Sequence, residues 1–267
     1  MDAVAQGKTE FIVTGIQRTG TTFLRTTLDS HPQIFCYGES FQNRFRPLKG
    51  RFRLFGPYKF SESYFAFRSR SFTGYVGALA APKRSYGRYL DAFFGEHPEA
   101  AVGFKLMLSH LDERPGLWAE LCRRGVSVIH VTRQNYLDIA LSRARNREAK
   151  QAHFEKTPEL SKLSIDPRDL HKELRRIQEQ YARWEGLLSE AHAVLHLGYS
   201  DFVQDQSGEM ERISSFLGVD DLPLAGSSLK KIHTGGAASV IENYDRVRNY
   251  FQQTDFAHFF STTDSAD

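Results

Sequence analysis

Apolar residues run together over residues 10–16, Glu-Phe-Ile-Val-Thr-Gly-Ile, and then recur at Phe23, Leu24 and Leu28 beyond a glycine-containing loop. A short unbroken apolar run followed by helical spacing predicts strand, loop, helix. Further short runs predict strands at 34–37, 101–108, 126–132 and 193–199. Between and after them the pattern changes to helical spacing, over 86–96, 115–124, 135–150, 167–192, 207–217 and 240–251. The clearest of these helices follows Asp166, where Leu170, Leu174, Ile177, Tyr181, Trp184 and Leu188 make a 4-3-4-3-4 spacing along one face. That is the stripe of a helix packed on a core. Asp166 suits its N-cap and Pro167 its first turn. Strands alternating with helices imply an α/β fold: a mostly parallel central sheet flanked on both faces by helices, in three layers.

One stretch, at about 44–72, departs from this regularity. Residues 44–70 hold eight Lys or Arg, eight Phe or Tyr and a single acid, Glu62, with no sustained period. It reads as an insertion, either a flap facing substrate or an aromatic-anchored surface excursion. No internal repeat or low-complexity linker divides the chain. Its 267 residues therefore predict a single domain over 1–267 with one complete core.

Composition adds exclusions. With 40% hydrophobic and 25% charged residues the chain is globular in type, and a net charge of +3 suits anionic ligands. It falls short of a nucleic-acid-binding signature, so no nucleic-acid partner is expected. Residues 1–8 are polar, and no run approaches the ~20 apolar residues of a membrane span. A cytoplasmic protein without a membrane span is the expectation. Cys36 and Cys122 are too few for a disulfide scaffold and lack metal-ligand spacing, so they read as ordinary thiols. Nothing in the sequence speaks to oligomeric state.

The chemistry concentrates in the first loop, Gly15-Ile16-Gln17-Arg18-Thr19-Gly20-Thr21-Thr22. A strand, a glycine loop and a helix start form an anion site, because successive amides and the helix dipole point at the same place. A nucleoside-triphosphate loop reads G-x-x-x-x-G-K-S/T, its lysine reaching the phosphates and its hydroxyl holding magnesium. Here Thr21 stands at the lysine position and the cation is Arg18, inside the loop. The strand at 126–132 runs into Arg133, where such an enzyme would place a magnesium-binding aspartate. These replacements favour a nucleotide carrying phosphates at separate places, handled without a metal. A generic glycine turn explains the glycines but not Arg18, Thr21, Thr22 and Arg133 together.

With these residues the chain resembles sulfotransferases that use 3′-phosphoadenosine 5′-phosphosulfate (PAPS), especially the bacterial carbohydrate and Nod-factor type, whose first strand leads into an R-S/T-G-T-like loop. The likeness runs in order through Gln17 to Leu24, His31-Pro32, Gly38-Glu39, Val102-Gly103-Phe104-Lys105, Arg133 to Ser142, Tyr199-Ser200-Asp201-Phe202 and Phe216-Leu217-Gly218-Val219. It implies the P-loop-like fold and PAPS as sulfuryl donor, with no metal required. It also implies that Gln17, Arg18, Thr19, Gly20, Thr21 and Thr22 surround the 5′-phosphosulfate, while Arg133 and Ser142 hold the 3′-phosphate. Many relatives place that arginine eight residues before the serine, whereas here Gln134 takes that position and Arg133 lies nine before Ser142. Phe23 stands where some relatives stack a tryptophan on adenine, and Tyr199 resembles a tyrosine at the adenine end; core packing is the alternative for both. Lys230, Lys231 and His233 fall where the family returns a basic loop over the 3′-phosphate, Lys231 being the residue assigned to it. A solvated charge pair is the alternative there.

Sulfuryl transfer needs charge stabilisation on the leaving oxygen, an acceptor held in line and a base for its proton. Arg18 and the loop amides suit the first. Glu39, following the second strand, is the expected base, as in carbohydrate-type relatives. His110 is the rival, because cytosolic-type relatives keep a histidine after the third strand and its ordinary pKa near ~6.5 suits the work. Lys105 either assists the leaving group or ends its strand in water. Stacking and ion pairing by the 44–72 insertion favour a carbohydrate or glycolipid acceptor, with a small-molecule or lipid alcohol as the alternative. A magnesium-dependent kinase and a non-catalytic nucleotide-binding module are the rival classes.

Overall fold

The computed structural model describes residues 7–42, 63–68, 72–151, 162–222 and 236–261. Five parallel strands form its one named sheet: β1 (Thr9–Gly15), β2 (Ile34–Tyr37), β3 (Ala101–Leu106), β4 (Ser127–Thr132) and β5 (Val194–Gly198). Their order is β2-β3-β1-β4-β5. The helices are α1 (Thr21–Leu28), α2 (Tyr64–Arg68), α3 (Phe72–Ala80), α4 (Pro82–Glu96), α5 (Leu108–Asp112), α6 (Leu117–Arg123), α7 (Tyr136–Gln151), α8 (Pro167–Leu188), α9 (Tyr199–Gln204), α10 (Gln206–Leu217), α11 (Ala237–Val240) and α12 (Tyr244–Phe251). The P-loop-like three-layer α/β architecture is the one expected.

Near-continuous apolar strands mark a parallel sheet covered on both faces. All of β3 is buried, as is β1 from Phe11 to Gly15. Alternation divides β1 between two cores. Phe11 and Val13 join Leu24 and Leu28 of α1 and Phe202, Met210, Ile213 and Leu217 of α9 and α10. Ile12 faces the larger core, built with α4, α6, α7, α8 and α12. The α8 stripe is buried at all six predicted positions, and the Asp166 carboxylate accepts from the Arg168 and Asp169 amides. Leu174 and Trp184 are fully buried, where truncation to alanine costs about 2–5 kcal/mol.

Several boundaries differ from the periodicity. Strand β3 stops at Leu106 rather than 108, and α8 stops at Leu188 rather than 192. Helix α6 begins at Leu117 because Gly116 caps it at φ 86, a backbone state glycine tolerates. The helix expected over 240–251 is broken. Ile241 pairs with Leu163 in an isolated bridge, and the Asn243 amide group bonds both the N–H (3.0 Å) and the carbonyl (2.8 Å) of Ile165. Backbone recruited to that bridge cannot continue a helix, although Val240, Val247 and Phe251 are all buried in the core.

Among the described residues no helix is long and apolar enough to cross a membrane. Cys36 is buried and Cys122 partly so, both as free thiols. Of the insertion at 44–72, all but 63–68 and the helix start at Phe72 lies outside the described residues. Within it Tyr64 is buried and packs on Phe41, Tyr86 and Tyr89, which gives that aromatic an anchoring role.

Candidate active site

The strand order reverses direction about β1, which lies between β3 and β4. Ligands of open α/β sheets sit at such a crevice, beyond the carboxyl ends of the strands. The loop after β1 opens there. Gly15 is needed because a Cβ would meet the Val131 carbonyl at 2.7 Å. Gly20, at φ 91, starts α1, and a Cβ on it would run into the ring of Tyr199. Between them Arg18 has φ 78, the one non-glycine positive φ among the described residues. The Thr19 hydroxyl, fully buried, donates to the Ile16 carbonyl at 2.8 Å and closes the loop from inside. Thr21 is buried with its methyl against Gly15. The first helical bond runs from the Leu24 N–H to the Gly20 carbonyl, so the amides of residues 21–23 precede it.

Of the sequence-predicted partners, Ser142 of α7 meets this loop directly, and Arg133, just after β4, approaches it through Tyr199. The Arg18 Nε donates to the Ser142 Oγ at 2.8 Å across 124 residues of chain. Arg133 places its guanidinium 5.1 Å from the centre of the Tyr199 ring, which also lies against Gly20. Arg133 also pairs with Asp138 at 2.6 Å, and its backbone N–H and carbonyl bond the Tyr181 hydroxyl. The fold therefore brings Arg18, Ser142, Arg133, Tyr199 and Gly20 to one crevice. Phe23 is half-buried and meets Phe202 edge-on at 5.4 Å, at the border of the smaller core. Lys230, Lys231 and His233 lie outside the described residues.

On the opposite flank, three chain segments converge. The Lys105 ammonium, at the end of β3, lies 3.0 Å from Glu39 Oε1 and donates to the Thr22 hydroxyl at 3.3 Å. His110 Nε2 lies 3.6 Å from Glu39 Oε2. The Met107 N–H donates to His110 Nδ1 at 3.2 Å, which leaves the ring proton on Nε2, facing the carboxylate. His110 and Lys105 together, against the opposing cost of burial, hold the Glu39 carboxyl well below its ordinary range, at about 2. The two candidate bases are thus neighbours in one cluster.

A cleft of about 470 Å³ opens between Gly15–Arg18, α5, α7 and α8. Its walls combine the apolar Ile16, Met107 and Leu108 with charged side chains. Arg143 pairs with Glu173 at 2.7 Å, and Arg183 with Asp112 at 2.5 Å. Arg176 and Glu179 add further charge. None of these was picked out from the sequence: the pairs join α7 and α5 to α8, and no local spacing encodes them. Among the described residues no three His, Cys, Asp or Glu side chains converge as metal ligands.

A family model described as the sulfotransferase family matches residues 10–223. Nodulation protein H of Rhizobium tropici is 22% identical over 266 residues, covering 96% of this chain and 94% of its own. A sulfotransferase, STF9, from Mycobacterium avium superposes with a TM-score of 0.51 at 14% identity, over 94% of this chain and 78% of that one. The sulfotransferase domain from the curacin biosynthetic pathway gives 0.50 at 17% identity, over 89% and 84%. Those two structures share the fold. With the glycine loop, its internal arginine and most of the chain inside the family match, this protein belongs to the sulfotransferase family and is a sulfotransferase.

Proposed function

We propose that the enzyme takes a sulfuryl group from PAPS and passes it by in-line displacement to a hydroxyl of a carbohydrate or glycolipid. One observation carries this reading: the Arg18–Ser142 contact joins the glycine loop to α7, so groups suited to a 5′-phosphosulfate and to a 3′-phosphate share one crevice. The residues fit such a donor. Gly20 leaves room beside Tyr199, the amides at the start of α1 suit an anion, and Arg18, Arg133 and Lys105 supply positive charge. Tyr199 and Phe23 offer aromatic faces for the base.

The donor supplies the sulfuryl group and a phosphate leaving group. Lys105, held between Thr22 and Glu39, is within reach of the loop mouth and neutralises charge on the departing oxygen. When its ammonium turns to that oxygen, Glu39 keeps the His110 hydrogen bond but loses the Lys105 charge, and becomes more basic. The carboxylate then takes the acceptor proton as the new O–S bond forms and the bridging S–O bond breaks. His110 Nε2–H steadies the carboxylate. For the acceptor, the cleft beside the loop presents guanidinium donors and carboxylate acceptors already fixed in ion pairs. Ring hydroxyls match such groups, whereas a phenol or steroid strips their water without replacing it. The likeness to carbohydrate-type relatives supports the same choice.

The test is turnover of ³⁵S-labelled PAPS over a panel of oligosaccharides, a glycolipid, a phenol and a steroid alcohol. Label is expected on a sugar hydroxyl. Transfer to the phenol or steroid alone would refute the acceptor class, and no transfer from PAPS to any acceptor or to water would refute the donor.

A further inference from the structure

Arg18 occupies a left-handed backbone state that costs a non-glycine residue on the order of 1 kcal/mol or more, so something must hold it. From inside, the Thr19 hydroxyl grips the Ile16 carbonyl. From outside, the Nη2 of Arg143 donates to the Gln17 carbonyl at 3.3 Å, across 126 residues of chain. The same nitrogen donates to Gln180 Oε1 at 3.0 Å, and Nη1 pairs with Glu173 Oε1 at 2.7 Å. Both acceptors belong to α8. The Arg143 and Glu173 side chains are only 10% and 13% exposed. Successive residues of α7 thus grip successive residues of the loop: Ser142 the Arg18 side chain, Arg143 the Gln17 carbonyl.

We infer that Arg143 is a positioning residue for the donor loop: braced by Glu173 and Gln180, it holds the Gln17 carbonyl and so presets Arg18 in its left-handed state. Three acceptors are served from one planar fork. A lysine at this place keeps the charge and the pair with Glu173 but cannot span all three. The proposal rests on the PAPS reading only for its binding assay, because the loop conformation is measured without ligand.

Arg143→Lys preserves the buried charge pair and is the variant of choice; Gln180→Leu removes one brace without touching the loop and serves if Arg143→Lys fails to fold. Two measurements decide. Backbone NMR shifts of Arg18 in the ligand-free protein are expected to move from left-handed values toward an average of states in either variant, while the shifts of β3 and α10 stay put. Titration with adenosine 3′,5′-bisphosphate is expected to show about tenfold weaker binding for Arg143→Lys, with its melting temperature within a few degrees of wild type. Unchanged Arg18 shifts in both variants would overturn the proposal whatever the nucleotide does. Moved shifts together with no bisphosphate binding by wild type would uphold the positioning role and refute the donor reading instead.

Discussion

The glycine loop and the Glu39 corner flank one crevice but are built in different ways. The loop is a single contiguous stretch, although its strained and close-packed positions, Gly15, Arg18 and Gly20, are backed by distant residues, Val131, Ser142 and Tyr199. The corner draws Glu39 from the end of β2, Lys105 from β3 and His110 from α5, and its geometry exists only once β2 and β3 pair. On the proposed reading the loop binds the donor and the corner carries the reaction. A contiguous anion cradle reads directly as sequence, whereas a cluster of three isolated charged residues acquires meaning only from strand order.

Breaking the corner without the loop gives the largest expected effect. Glu39→Gln should lower kcat by about 10²–10⁴-fold, the usual worth of a positioned general base, with adenosine 3′,5′-bisphosphate binding within about threefold of wild type. Steady-state kinetics and calorimetry on the same preparation check it. A near-normal rate in Glu39→Gln together with a collapsed rate in His110→Ala would move the base to the histidine.

A smaller effect sharpens the electrostatic side of the comparison. The Glu39 carboxyl is shifted downward, from an ordinary 4.5 to about 2, so its charge contributes stability above pH 4.5 that is lost as pH falls through about 2. Urea unfolding of wild type and Glu39→Gln should therefore differ by on the order of 1–2 kcal/mol at pH 7, after allowance for partial solvent screening, with the gap closing toward pH 2. A gap independent of pH would mean that the carboxylate is not held by His110 and Lys105.

The same contrast explains what the sequence revealed and what it did not. Five strands, the longer helices α1, α4, α6, α7, α8 and α10 and the α8 stripe followed from apolar periodicity, because each buried face is written into its own segment, whereas the short helices α2, α3, α5 and α9 were not read from it. The loop and its Arg18 stood out by departure from a known phosphate motif. The break at Ile241 was invisible, since Val240, Val247 and Phe251 keep helical spacing while the backbone between them is claimed by Leu163 and the Asn243 side chain by Ile165. Glu39 and His110 looked like rivals because each was read within its own loop; pairing of β2 with β3 makes them partners on one carboxylate. Arg143 gave no signal beyond following Ser142, its three partners lying on the loop and on α8.

On the proposed reading the crevice receives a nucleotide with phosphates at two separate places, and calorimetric titration of adenosine 3′,5′-bisphosphate against 5′-AMP probes this without any acceptor. With Arg133 and Ser142 engaging the second phosphate, the bisphosphate should bind at least about tenfold more tightly, that being the worth of one charge-assisted contact. Equal affinity for the two nucleotides would contradict the account.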